Sequence, residues 1–299
     1  MKRIPVRSKS PAASAPRKRP ILSTVIARHR KALLEQMAGA IKDQAPERIH
    51  KVRVGTRRLQ TALDLVPNQG LKRTIRSLKS RLRGLRREVS GARDYDVFLS
   101  VLDQAGAEAS DEEREKLSPL RELLAKRREG LANRARKALE VFEMAPIRLP
   151  IAGAQVRTRA SKRLAARTRV FLKRTEEVTD WSDVRAIHQI RIQAKRLRYL
   201  LETLAELGYG DSKAAISWLR EAQGRIGEWH DLQALEQEVI RLVRKKRFLR
   251  GRLSEAAGLL RAASLLSRRK ESLAASSFPI KAPSYFRPTL LRMAGRLRG

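Results

Sequence analysis

Cysteine is absent from the 299 residues, which excludes disulfide scaffolds, zinc fingers, iron–sulfur clusters and thiol catalysis. The absence fits a reducing compartment. Aromatic residues amount to 4% (6 Phe, 4 Tyr and 3 Trp), too few for a surface that stacks many unpaired bases. No run of ~18 apolar residues occurs, so no membrane span is expected. The first 20 residues lack the apolar stretch of a secretory signal. The chain is therefore read as soluble and cytoplasmic. Acidic residues are also scarce: 31 Asp and Glu stand against 67 Lys and Arg, a net charge of +36.

What is present is a hydrophobic fraction of 42%, which excludes a wholly disordered polycation and allows one or two domains with a sizeable core. Residues 1–20 carry seven basic side chains, no acid and four prolines, and read as a disordered basic arm. The other 279 residues still hold +29, so the excess belongs to the folded body. A compact body with that charge repels itself and calls for an anionic partner.

From residue 21 to residue 276 Ala, Leu, Arg, Glu and Lys dominate and nothing alternates with period two, so the body is expected to be all-α. Breaks are expected at Pro46, Pro67–Gly70, Gly106–Ser110, Ala145–Gly153, Thr179–Asp180, Gly208–Asp211 and Gly251, which leaves about eight helices. Pro46 suits the first helical position, and Thr179 or Asp180 is expected to cap the helix that follows it. The expected divisions are a four-helix half over 21–145, a linker over 146–155, a second four-helix half over 156–276, and an irregular basic tail over 277–299 whose apolar side chains pack on the body.

The halves resemble each other. IHKVRVGTRRLQTAL around His50 aligns with IHQIRIQAKRLRYLL around His188, so that Arg53 matches Arg191, Arg57 matches Lys195 and Arg58 matches Arg196. Downstream, Val89 to Asp94 (VSGARD) aligns with Ile226 to Asp231 (IGEWHD). Two matched segments in the same order point to duplication of a four-helix unit, giving two pseudo-symmetric bundles.

The aligned helices share a second pattern. Ile49, Val52, Thr56, Leu59, Leu63 and Val66 step by three or four residues and form a buried seam, with His50, Arg53 and Arg57 one position on. In the second copy Ile187, Ile190, Ala194, Leu197 and Leu201 lie inside, beside His188, Arg191, Lys195 and Arg198. The next helix repeats it: Leu71, Ile75, Leu78, Leu82, Leu85 and Val89 are flanked by Lys72, Arg76, Lys79, Arg83 and Arg86. Ordinary solubilising arginines whose stems cover apolar surface would mix with acids and scatter away from the core. These ladders are of one sign, lie where helices converge, and rise ~5 Å per rung, which suits an extended phosphate chain.

The motif histidines admit three roles: a hydrogen-bonded structural His, a phosphate contact that becomes cationic beside its ligand, and a metal ligand. No H-E-x-x-H occurs and neither motif helix carries paired His. Asp94-x-Asp96 and Asp231 could hold a magnesium ion carried on phosphate, or cap and orient Arg93 and His230; the second role is the expected one.

Taken in order, H-x-x-R-V-x-x-R-R-L, R-D-x-D-V, H-x-x-R-I-x-x-K-R-L-R-Y and G-x-x-H-D-L resemble the CHAD family, the conserved-histidine α-helical domain, over roughly residues 21–275. The resemblance implies two four-helix halves framing a basic central channel that binds inorganic polyphosphate, with some members located at polyphosphate granules. It carries binding roles onto His50, Arg53, Arg57, Arg58, Arg93, His188, Arg191, Lys195, Arg196, Arg198 and His230; the ladder spacing adds Arg76, Lys79 and Arg83. Two departures matter. The family usually has Leu-Gly before its R-D motif, whereas this chain has Val89-Ser90. The E-x-E-x-K mark of the triphosphate-tunnel domain fused to many relatives does not occur, so hydrolytic activity is not carried over. The resulting expectation is a non-enzymatic polyphosphate binder with no cofactor or metal, meeting granule-associated proteins but no membrane. The alternatives are a nonspecific nucleic-acid-binding polycation and an enzyme acting on phosphoanhydrides.

Overall fold

The structure is a computed structural model and describes residues 21–67, 71–108, 110–146, 153–178, 183–245, 253–277 and 282–298. The expected basic arm, residues 1–20, lies outside them. Among the described residues there are nine helices and no strand: α1 (Leu22–Lys42), α2 (Pro46–Asp64), α3 (Lys72–Glu108), α4 (Asp111–Glu140), α5 (Gly153–Glu177), α6 (Val184–Glu206), α7 (Lys213–Val243), α8 (Leu253–Ser277) and α9 (Phe286–Arg296). The all-α class is as expected, and α1 to α8 fill the body with the expected number of helices.

Local chemistry explains the ends that set the site. Pro46 opens α2, where its missing N–H costs no hydrogen bond and its fixed φ is already helical. Helix α6 ends in a Schellman arrangement: Gly208, at φ 71°, donates to Ala205 O (3.0 Å) while Tyr209 donates to Leu204 O (2.9 Å). Gly208 is the residue type that adopts that left-handed conformation without a Cβ penalty.

Two expectations are corrected. The cap of α6 is Asp183, whose Oδ1 accepts from the Ala186 N–H at 2.9 Å; Thr179 and Asp180 lie outside the described residues. The tail is not irregular, because Phe286–Arg296 forms α9. Pro288 sits in its first turn, where an amide N–H would have no intrahelical partner. The expected apolar packing of the tail does hold: Phe286 is fully buried 5.8 Å from the Phe171 ring and 4.9 Å from Trp218, joining α9 to α5 and α7.

The seams predicted on α2 and α6 are buried along their whole length. The cores they build, however, are not one per half. The larger cluster joins Ile49 and Leu59 of α2, Leu82 and Val89 of α3, Phe171 of α5, Leu197 of α6 and Trp229 of α7. The smaller joins Phe98 and Leu102 of α3, Leu120 and Leu124 of α4, Leu235 of α7 and Leu259 of α8. Both clusters draw on both sides of the 146–155 segment, and α2 packs on α6, α3 on α7 and α4 on α8. Helix α3 passes from one cluster to the other between Ala92 and Tyr95, and α7 between Trp229 and Leu232. The residues in these gaps are Arg93–Asp94 and His230–Asp231, the polar motif positions.

Phe171→Ala would open a cavity where α5, α7 and α9 meet. It is expected to lower unfolding stability by about 3–5 kcal/mol, measured by urea denaturation. A loss below ~1 kcal/mol would show that α9 contributes little to the body.

Candidate functional site

At the gap between the two cores the four helices α2, α3, α6 and α7 enclose a cleft of about 650 Å³. From α2 come His50, Arg53, Arg57 and Arg58; from α3 Arg93 and Asp94; from α6 His188, Arg191, Lys195 and Arg198; from α7 His230 and Asp231. Seven Arg or Lys therefore face two carboxylates. Val54, Val97, Phe98, Ile192, Tyr199 and Ala234 complete an apolar wall that the basic-ladder reading did not foresee.

The sequence repeat becomes a pair of matching ion pairs. Arg53 Nη1 donates to Asp94 Oδ1 at 3.2 Å, and its counterpart Arg191 Nη2 donates to Asp231 Oδ1 at 3.3 Å. Asp94 thus orients Arg53, not Arg93 as expected, because α2 and α3 bring those side chains together across the cleft mouth. Asp96 orients neither Arg93 nor His230: it is buried and accepts from Arg128 Nε at 2.8 Å, tying α3 to α4. His188 Nδ1 and His230 Nε2 lie 2.8 Å apart with stacked rings, a hydrogen-bonded pair built across α6 and α7. His230 Nδ1 lies 3.4 Å from Asp231 Oδ1. Among the described residues no three His, Cys, Asp or Glu side chains are grouped to hold a metal ion.

At the other end Glu202, itself mostly buried, gathers cations. It accepts from Arg198 (2.7 Å) and Arg220 (3.1 Å) and lies 3.8 Å from Arg58. Arg198 also donates to Gln223 Oε1 and lies over the Tyr199 ring, which fixes its planar head. Arg191 Nε is buried with no protein acceptor.

Confinement of like charges in a partly dehydrated space shows in the protonation equilibria. Burial, reinforced by Arg191, Arg57 and Arg53, pushes the Lys195 ammonium down to about 6. Burial and the surrounding cations lower His50 and His188. Burial lowers Arg57 and Arg191 as well, yet guanidinium stays protonated at neutral pH. The arrangement holds forked donors in fixed directions, a geometry that can meet the oxygens of a multivalent anion.

Ten of the fourteen expected binding residues line this cleft. Arg196 does not: one residue beyond Lys195 turns ~100° around α6, and its side chain is exposed on another face. Nor do Arg76, Lys79 and Arg83, which line a separate hollow of about 190 Å³ with Arg159. The physical reason is length. Arg83 precedes Arg93 by ten residues, ~15 Å along α3, and only the middle of that helix passes the cleft. Ser90, at the departure from the usual Leu-Gly, donates to Arg86 O within an unbroken helix; the close approach is made next door at Gly91, where a Cβ would stand 3.1 Å from Leu131.

A protein-family model described as CHAD domain matches residues 24–240. Among solved structures, the crystal structure of the CHAD domain from the plant Ricinus communis matches with a TM-score of 0.62 and 22% identity, covering 96% of each chain. PptA from Streptomyces chartreusis matches with a TM-score of 0.52 and 12% identity, covering 92% of this chain and 98% of that one. At such identities the two structures speak for the fold alone. No curated protein matches the chain.

Asp94 and Asp231 occupy arginines that a ligand anion would otherwise meet. Asp94→Asn with Asp231→Asn is expected to tighten binding of inorganic triphosphate roughly tenfold at low salt, measured by calorimetry, by removing two like charges. Weaker binding would show instead that the carboxylates are needed to hold Arg53 and Arg191 in place.

Proposed function

Because the chain belongs to the CHAD domain family, we propose that the cleft binds inorganic polyphosphate and that binding, without catalysis, is what the domain does. The observation that carries this reading is the cleft itself: seven Arg or Lys from three helices, α2, α3 and α6, converge on one space with two carboxylates among them. A flexible chain with about one charge per unit fits a space of 650 Å³ between packed helices, whereas duplex DNA, whose major groove alone is ~12 Å wide, does not enter it. Arg53, Arg57, Arg191 and Lys195 grip the phosphates from both halves, while Arg58, Arg93 and Arg198 extend the track. Location at polyphosphate granules in the cytoplasm, beside granule-associated proteins, follows from the same reading. Against hydrolysis, Asp94 and Asp231 are each engaged by an arginine and so are poorly placed as general bases or metal ligands. Metal-dependent release of phosphate from polyphosphate would overturn that part of the reading.

The direct test is competition for labelled long-chain polyphosphate by unlabelled polyphosphate or duplex DNA at ~150 mM salt. The unmodified protein is compared with a variant carrying Arg53→Glu, Arg57→Glu, Arg191→Glu and Lys195→Glu. Polyphosphate is expected to compete far better than DNA per charge, and the variant to lose binding. Equal competition with binding kept in the variant would favour the nonspecific polycation.

Proton linkage provides a second test. A bound polyanion raises the pKa of Lys195 above its free value of about 6, so binding takes up protons. Affinity is therefore expected to rise as pH falls from 8 towards 6, and the contribution of Lys195 to level off below that, where the free protein is already protonated. His50 and His188, lowered in the free protein, add uptake at the acid end. Lys195→Arg should flatten the upper part of the profile, measured by fluorescence anisotropy across that range. Constant affinity in the unmodified protein would rule out the role given to Lys195.

A further inference from the structure

Helix α5 lacks the histidine motif, and its charges drew no notice in the sequence. Arg159, Arg163 and Arg167 nevertheless recur every four residues and so form a ladder on one face of the helix. That face meets Asp64, the last residue of α2. Asp64 accepts from Lys79 Nζ of α3 and from Arg167 Nη2 at 3.2 Å, and lies 3.9 Å from Arg163 Nη1; its backbone carbonyl accepts from Arg159 Nε at 2.8 Å. Asp64 thus serves three cations through its carboxylate and a fourth through its backbone carbonyl. Beside it the 190 Å³ hollow is lined by Lys72, Arg76, Lys79, Arg83 and Arg159 and by no acid. Arg76 and Arg83 are exposed and form no ion pair with any described residue.

The excess is connected to the main cleft. Arg86 Nη1 donates to Gln60 Oε1 at 2.5 Å, and Gln60 Nε2 donates to the Lys79 carbonyl at 3.1 Å, so α2 and α3 are stitched between the two sites. Burial lowers Arg86 to about 10, reinforced by Arg57 and Arg53 of the cleft and by Arg83 and Arg196. Arg196 in turn acts on Arg167. Arg86, bonded through Gln60 to the Lys79 backbone, is thus the cation that stands between the cleft arginines and the hollow.

From these placements we infer that the hollow between the end of α2, α3 and α5 is a second phosphate-chain station, reached from the cleft past Arg86 and Arg196, so that affinity depends on chain length. Asp64 holds the cations in place until the ligand arrives. The inference rests on the proposed binding of polyphosphate in the cleft. Arg53 and Asp64 are eleven residues apart on α2, ~16 Å along its axis, a span that triphosphate, with its two bridging oxygens, does not cover. A chain held in the cleft presents its next segment to the hollow at high effective concentration, and a short chain gains nothing from it.

The experiment compares triphosphate with polyphosphate of about 100 units by calorimetry at ~150 mM salt. Arg163→Gln with Arg167→Gln is expected to weaken the long chain roughly tenfold and leave triphosphate unchanged. Arg76→Gln with Arg83→Gln, at exposed positions that hold no described ion pair, should act in the same direction and guards against loss of folding around Asp64. The quadruple cleft variant should lose both ligands. Unchanged long-chain affinity in both hollow variants overturns the second station while leaving the cleft intact. Failure of either ligand to bind the unmodified protein overturns the cleft reading and the station with it.

Discussion

Packing of α2 against α6 is the constraint from which the rest follows. Each helix buries an apolar seam and carries its cations one residue to the side, so seating the seams forces the two basic flanks towards each other. Hydrophobic burial of side chains such as Leu59 and Leu197 drives the association, and the charges are carried into proximity by it. The repulsion is limited in three ways. Asp94 and Asp231 neutralise one arginine on each helix, Glu202 and Asp64 collect guanidinium groups at the flanks, and Lys195 gives up its proton readily. The cleft still holds more cations than carboxylates, seven against two, so its self-repulsion is reduced and not removed.

The polar motifs on α3 and α7 take their meaning from where the cores stop. A helix spanning two apolar clusters has a segment between them that packs on neither, and Arg93–Asp94 and His230–Asp231 are those segments. Interruption of the core leaves room for the cleft, and the long helices that run through both clusters hold its walls rigidly. Because both cores include residues from either side of the 146–155 segment, neither half would retain its cleft wall alone. The site is a property of the whole bundle.

Much of this could be read in the sequence, for reasons that are physical. A seam of period 3.6 buries the residues it names, so the ladders beside the α2 and α6 seams were bound to lie at a helix junction, and they do. Pro46 and Gly208 fixed helix ends because each has a backbone preference few other residues share. What could not be read was position along a long helix. The ladder on α3 obeys the same spacing as its neighbours, yet Arg76, Lys79 and Arg83 stand ~15 Å or more from the level of Arg93. Which partner each aspartate would take was equally hidden, since Asp94 reaches Arg53 on another helix in preference to its neighbour Arg93. The ladder on α5 escaped for a different reason: Arg159, Arg163 and Arg167 lie in a helix dense with other cations, and only the position of Asp64 singles out their face.

Lysine and arginine divide the work in the cleft. A guanidinium keeps its charge under any neutral condition, so Arg57 and Arg191 bear their burial as permanent cations and supply direction through their forks. An ammonium in the same surroundings has the option of neutrality, and Lys195, the most strongly shifted group in the cleft, takes it. With Lys195 neutral the empty cleft carries one charge fewer and repels itself less. Any anion brought into the cleft would favour the charged ammonium and with it the full set of cations. The position that aligns with Arg57 in the repeat is thus the one at which Lys differs from Arg in consequence: the same place in the fold, held by a group whose charge responds to its surroundings.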